Sequence, residues 1–178
     1  RLDGVANSGA ATGDTLVGIE NVLGTNLDDL IVGSIANNLL TGNGGKDHLN
    51  GGGGKDLLEG NGGKDTLEGA GGRDNLDGGG GKDALDGGGG KDRIEGGRGA
   101  DLLTGGGGRD TFVFERGSGA DTILDWRDRQ DRIEIDGASL AQLDIRQIDT
   151  DVLISFANIR VTVEDADADL FTAADFIF

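Results

Sequence analysis

Apolar side chains recur at intervals of nine through the middle of this chain, at Leu49, Leu58, Leu67, Leu76, Leu85, Ile94, Leu103 and Phe112. One hydrophobe in nine fits neither the 3.6-residue period of a helix nor the alternation of a long strand. Each lies between two polar or variable positions and is followed by a glycine-rich run. From Gly42 to Val113 the unit G-[GNA]-x-G-x-D-x-[LIF]-x repeats eight times without a break. Its first six residues hold too much glycine for helix or strand and predict a turn that visits positive φ. The last three predict a very short strand, its central side chain on one face and its neighbours on the other. Strand, turn, strand, turn closes one coil in two units, and coils then stack at the parallel-strand spacing of about 4.8 Å.

The period continues upstream in weakened form. Gly24–Val32 keeps Asp29 and Ile31 at positions six and eight, and Gly33–Thr41 carries Asn38 where the aspartate belongs. Ten units over 24–113 predict about five coils and roughly 24 Å of solenoid. The hydrophobes line a narrow core, and position nine (Glu59, Glu68, Asp77, Asp86, Glu95) faces water. Residues 1–23 form a lead-in over the first coil. Residues 114–178 hold most of the aromatic residues and form a β-rich cap on the far end. There Val152, Ile154 and Phe156, then Ile159, Val161 and Val163, alternate with smaller or polar residues and predict a hairpin turning at Ala157-Asn158.

Composition sharpens this picture at three points. The 178 residues include 37 glycines, 28 of them inside the eight units, so glycine is periodic and not linker-like. There is no proline, as expected where inner strands donate to a ladder. With no cysteine, no disulfide supplies stability. The net charge of −17 excludes nucleic acid as a partner of the whole chain. No membrane span or signal peptide is present, and the start at Arg1 without Met suggests a piece of a longer protein. G-x-G-x-x-G matches arise trivially here and open no helix. Asp165, Asp167 and Asp169 imitate an EF-hand start, but Leu170 replaces the glycine and no glutamate closes the loop. His48 is a single exposed imidazole. No catalytic constellation is visible, so the fragment is not expected to be an enzyme.

The aspartate at position six carries the chemistry. Stacking sets each carboxylate about 5 Å from the one two units later, a repulsion of roughly 1 to 3.5 kcal/mol for effective dielectrics of 80 to 20. Two such ladders outweigh what one hydrophobe per unit supplies, so a cation between coils is required. Carboxylates and glycine-exposed carbonyls form a flexible all-oxygen cage, which suits Ca²⁺ better than Mg²⁺. Zinc is excluded by the absence of cysteine and of clustered histidine.

The unit resembles the RTX nonapeptide, a calcium-binding repeat that builds parallel β-helices. The resemblance implies a right-handed parallel β-roll with each Ca²⁺ held between unit n and unit n+2. It also implies the ligands: carbonyls of positions two and four with the aspartate of the earlier unit, and carbonyls of positions one and three with the aspartate of the later one. Carried onto this sequence, the first site is Asn43, Gly45 and Asp47 with Gly60, Gly62 and Asp65. The second is Gly52, Gly54 and Asp56 with Gly69, Gly71 and Asp74. Asn61, Gly63 and Asp65 with Gly78, Gly80 and Asp83 make the third. Ala70, Gly72 and Asp74 meet Gly87, Gly89 and Asp92 in the fourth. Gly79, Gly81 and Asp83 meet Gly96, Arg98 and Asp101 in the fifth. The sixth joins Gly88, Gly90 and Asp92 to Gly105, Gly107 and Asp110. Asp29 with Asp47 gives a seventh and Asn38 with Asp56 an eighth, although Leu27 and Ala36 stand at glycine positions there. About six to eight ions are expected.

The same resemblance implies a secreted, extracellular module that folds on Ca²⁺ outside the cell, supports type I secretion and stabilises its parent exoprotein. The cap resembles that of serralysin-type exoproteins, and Asp175-Phe176-Ile177-Phe178 resembles the terminal motif of substrates of the type I secretion apparatus. A monomer is expected, with any enzymatic activity upstream. Position five is small and polar in the family, but here it is Lys46, Lys55, Lys64, Arg73, Lys82, Lys91 and Arg109. Six Ca²⁺ would turn residues 42–113 from −4 to about +8. Stacked bases would suit an acidic polysaccharide such as the alginate bound by epimerase R-modules. The alternative is that these bases pair with the position-nine acids.

Overall fold

A computed structural model describes residues 20–178 throughout and, upstream of these, only the backbone of strands Ala6–Asn7 and Thr15–Val17. The expected lead-in over residues 1–23 therefore falls largely outside the described residues. The chain is an all-β parallel solenoid of about six turns. One column stacks Asn21–Leu23, Leu39–Gly45, Leu57–Gly63, Asn75–Asp77, Arg93–Glu95, Thr111–Phe114, Arg132–Ile135 and Phe176–Ile177. The other runs Thr15–Val17, Leu30–Val32, His48–Asn50, Thr66–Glu68, Ala84–Asp86, Leu102–Thr104, Ala120–Ile123 and Ile159–Val163. Within the repeats the register advances by two units, as in Leu58↔Leu76 and Leu67↔Leu85.

The extra turn comes from the flank. The columns do not stop at Val113, because residues 116–124 and 126–134 are two further decayed units whose hydrophobes, Ile123 and Ile133, continue the core. Every position-eight side chain from Ile31 to Phe112 is fully or almost fully buried. Each such leucine contributes about 1.5–3 kcal/mol. Beyond them Ile154, Val161 and Phe176 enlarge the core, and the expected hairpin forms with Ala157 in its turn at φ 52°. A run of rings, Phe112–Trp126–Phe171–Phe176–Phe178, closes this end at centroid spacings of 6.4, 5.4, 6.2 and 5.9 Å. No described helix is long and apolar enough to cross a membrane.

Position nine points outward, yet stacking leaves Asp77 and Glu95 only partly exposed, and Asp86 open. Burial, with neighbouring carboxylates, holds Asp77 and Glu95 above the usual carboxylate range. The alternative pairing of position-five bases with these acids does not occur. Among the described residues the ion pairs are His48–Glu68, Arg93–Glu95, Arg93–Glu134, Arg129–Asp128 and Arg146–Asp144.

Candidate metal centres

The turns between strands place all eight position-six aspartates, Asp47 to Asp110, at no more than 3% exposure. Their two oxygens have different fates. Oδ1 accepts the backbone N–H of the aspartate one coil earlier, at 2.8 Å for Asp47→Asp65, Asp56→Asp74, Asp65→Asp83, Asp74→Asp92 and Asp83→Asp101, and 3.0 Å for Asp92→Asp110. Oδ2 has no hydrogen-bond partner in any of the eight, although it is buried. An unpartnered buried polar atom costs about 1–3 kcal/mol, more if charged, so each of these oxygens calls for a ligand.

Backbone carbonyls converge on the same gaps. A Cβ on Gly60 would lie 2.7 Å from both Asp65 Oδ2 and the carbonyl of Gly78, position one of the next coil. Carbonyls of positions two and four point forward: a Cβ on Gly79 would meet Asn61 O at 2.2 Å, and one on Gly63 would meet Gly45 O at 1.5 Å. Position two takes positive φ throughout the repeats, even in Asn43 (76°), Asn61 (70°) and Ala70 (68°). Position three stands further out, its N–H held by a position-two carbonyl, at 3.0 Å for Gly71–Gly52 and 2.6 Å for Arg98–Gly79. Among the described residues no three His, Cys, Asp or Glu side chains converge on a metal. Each gap therefore offers two carboxylates and several carbonyls, a hard-oxygen set that fits Ca²⁺.

The first two units depart from this geometry. Asp29 Oδ2 accepts the N–H of Thr25 at 2.7 Å and its hydroxyl at 3.1 Å, and Asn38 Oδ1 accepts the N–H of Ser34 at 2.8 Å. Thr25 and Ser34 occupy position two without the positive φ of the later units, so their N–H groups turn towards the side chain. Two aspartates absent from the sequence expectations continue the ladders at the other end. Asp101 N–H donates to Asp121 and Asp110 N–H to Asp131. The spacings of 20 and 21 residues hid them. Aligning on D-x-I instead of on glycine would have found both.

Desolvation is the largest influence on these carboxyls and raises them, aided by neighbouring charges and opposed by the backbone N–H each accepts. Asp47, Asp74 and Asp110 are pushed up to about 6, and Asp83, Asp92 and Asp121 to about 7. Because the folded values exceed the unfolded one, protonation stabilises the metal-free roll. That stabilisation is complete below about pH 4 and is lost as pH rises through 6 to 7. Calcium takes the deprotonated form, so protons compete with it. Calcium titrations followed by Trp126 fluorescence should show the midpoint rising as pH falls from about 8 to about 5. Equal midpoints across that range would refute the linkage.

The sequence profile described as RTX calcium-binding nonapeptide repeat (4 copies) matches residues 23–58, 59–94 and 86–123. No curated protein gives a significant match. The fold is similar to the crystal structure of the extracellular lipase LipA of Serratia marcescens, with a TM-score of 0.50 and 18% identity over 95% of this chain and 40% of the lipase. The chain thus spans less than half of that protein. The AlgE6R2 subunit of the Azotobacter vinelandii mannuronan C5-epimerase aligns at TM-score 0.40 and 24% identity over 92% of each chain. Its AlgE6R3 subunit aligns at 0.34 and 24%, over 88% of this chain and 81% of the other. With more than half of its residues matched and carboxylate–carbonyl gaps between its coils, the chain belongs to the RTX calcium-binding nonapeptide repeat family, whose repeats bind Ca²⁺.

Proposed function

We propose that this chain is a calcium-triggered folding module of a secreted protein. It stays unfolded at cytosolic Ca²⁺, passes through a type I secretion apparatus as an extended chain, then folds outside and stabilises the parent protein. The unpartnered, buried Oδ2 atoms of the position-six aspartates carry this reading, since they oppose the fold until a cation arrives. Six ions lie in the gaps from Asp47/Asp65 to Asp92/Asp110. Asp29 and Asn38 serve the first coil through hydrogen bonds and hold no ion of their own. Folding should then be half-complete at a free Ca²⁺ of about 0.1–1 mM, the range of extracellular modules, with Mg²⁺ ineffective. A titration followed by circular dichroism tests this. A midpoint below about 1 µM would mean folding inside the cell and would sink the export role.

One observation favours a second role for the folded roll, capture of an acidic polysaccharide. Lys55, Arg73, Lys91 and Arg109 stack along one groove of about 510 Å³ that Arg93 also lines. Among the described residues none of these four has a carboxylate partner. Calcium neutralises the aspartates beneath, leaving a row of cations for a uronate chain. Calorimetry of the calcium-loaded chain should give heat with polyuronate and none with a neutral glucan. No heat with either would leave only the folding role.

A further inference from the structure

The column that runs through Ala120–Ile123 and Ile159–Val163 continues antiparallel into Asp151–Phe156 and ends on Asp144–Ile148, which pairs on one side only. Ile148 faces Asp151 across the two-residue turn Asp149-Thr150, so these two bond to each other and the direction of the backbone groups alternates from there. Asp144, Arg146 and Ile148 turn their N–H and C=O groups towards Asp151–Phe156, and the Ser155 hydroxyl donates to Asp144 O at 3.4 Å on that side. Ile145 and Gln147 turn theirs outward. Among the described residues nothing pairs with these outward groups.

Exposed edges are ordinarily kept apart by bulges, prolines or charges. This strand has an unbroken register and no proline, and its two charges have opposite sign. Asp144 and Arg146 lie two residues apart on one exposed face, with Arg146 Nη2 at 2.7 Å from Asp144 Oδ2 and Nε at 2.9 Å from Oδ1.

We propose that a second copy of this chain pairs antiparallel with this edge, about a two-fold axis at Ile145. That register sets Ile145 against its own copy and each Asp144 against the Arg146 of the other chain, so both charge pairs are complementary. It also uses the outward groups. The two Ile145 residues exchange N–H···O=C bonds, and each Gln147 N–H meets the Leu143 carbonyl of the other chain, whereas the Leu143 N–H is already held by Leu140 O at 3.1 Å. The nearest registers of the same backbone parity set Arg146 against Arg146 or Asp144 against Asp144, and like charges directly opposite are unfavourable. Charge elsewhere favours the loaded form. Six bound Ca²⁺ add twelve charges to the net −17 and leave about −5, which lowers the repulsion between copies. The dimer replaces the monomer expected from the sequence.

Sedimentation of the calcium-loaded chain, up to about 1 mM because an interface of one short strand is weak, tests this pairing. Asp144→Arg sets Arg against Arg, and Arg146→Asp sets Asp against Asp. Each should weaken the dimer about tenfold or more, since two cross-strand pairs change sign together. Mixing the two variants should restore it, because each chain then faces opposite charges. Both side chains are exposed, so the variants should keep the β spectrum of the wild type. A wild type that is monomeric at every concentration, single variants that dimerise as well as the wild type, or a mixture that stays monomeric overturns the dimer. A chain that folds on Ca²⁺ and remains monomeric rejects the pairing alone and leaves the calcium-triggered module standing.

Discussion

Chelating calcium at pH 8 should remove the β structure of this chain as a whole, not merely loosen its turns. The repeats bury one leucine-sized side chain per nine residues, a core too thin to tolerate much opposition. Against it stand nine aspartate oxygens, eight in the repeats and one on Asp121, buried with no partner. At about 1–3 kcal/mol each they oppose folding by roughly 9–27 kcal/mol, as much as or more than the 5–15 kcal/mol that holds an ordinary domain together. Lowering pH cannot substitute at pH 8, where carboxyls pushed to about 6 or 7 are ionised. The larger core of the cap offers no refuge, because Ile133 and Val161 pair directly with strands of the last coils. Far-UV circular dichroism in EGTA should therefore resemble an unfolded chain, with full recovery on adding Ca²⁺. A metal-free chain that keeps its β spectrum at pH 8 would show that the orphaned oxygens find another partner.

The fold and six central gaps were legible because their determinants are local and periodic. Leu58 and Leu76, or Asp56 and Asp74, need only be counted to be stacked. What escaped lies where the count breaks. Two extra residues before Arg116 and one more at Asp125 shift Asp121 and Asp131 off the period of nine, although pairing of the columns absorbs both offsets. Asp29 stands at position six like the later aspartates, but its Oδ2 accepts the N–H and hydroxyl of Thr25, which lacks the positive φ that position two takes in the eight full repeats. Spacing along the chain does not show that backbone conformation. The partners of the position-five bases were not legible either. Whether Arg73 meets an acid depends on where long side chains project from a turn, which no one-dimensional spacing specifies.

Two neighbouring glycines should respond in opposite ways to the same added methyl group. Gly62→Ala should be nearly silent, within about 0.5 kcal/mol, because its Cβ would meet only Asn43 O at an ordinary 3.7 Å. Gly63→Ala should be severe. Its Cβ would lie 1.5 Å from the carbonyl oxygen of Gly45 and 2.7 Å from that carbonyl carbon. Backbone on both sides leaves no side chain to swing away, so the two coils must separate. The residue also holds φ 147°, where a Cβ adds strain of about 1–3 kcal/mol, and overpacking adds roughly another 1–3 kcal/mol. The carbonyl at the clash, that of Gly45, faces a gap between coils, so separation would also withdraw an oxygen from a cation held there. In saturating Ca²⁺ the thermal midpoint of Gly63→Ala should fall by about 5–20 °C for a chain of this size, with that of Gly62→Ala close to wild type. Equal midpoints for the two variants would mean that the carbonyl-to-glycine contact does not set the spacing of the coils.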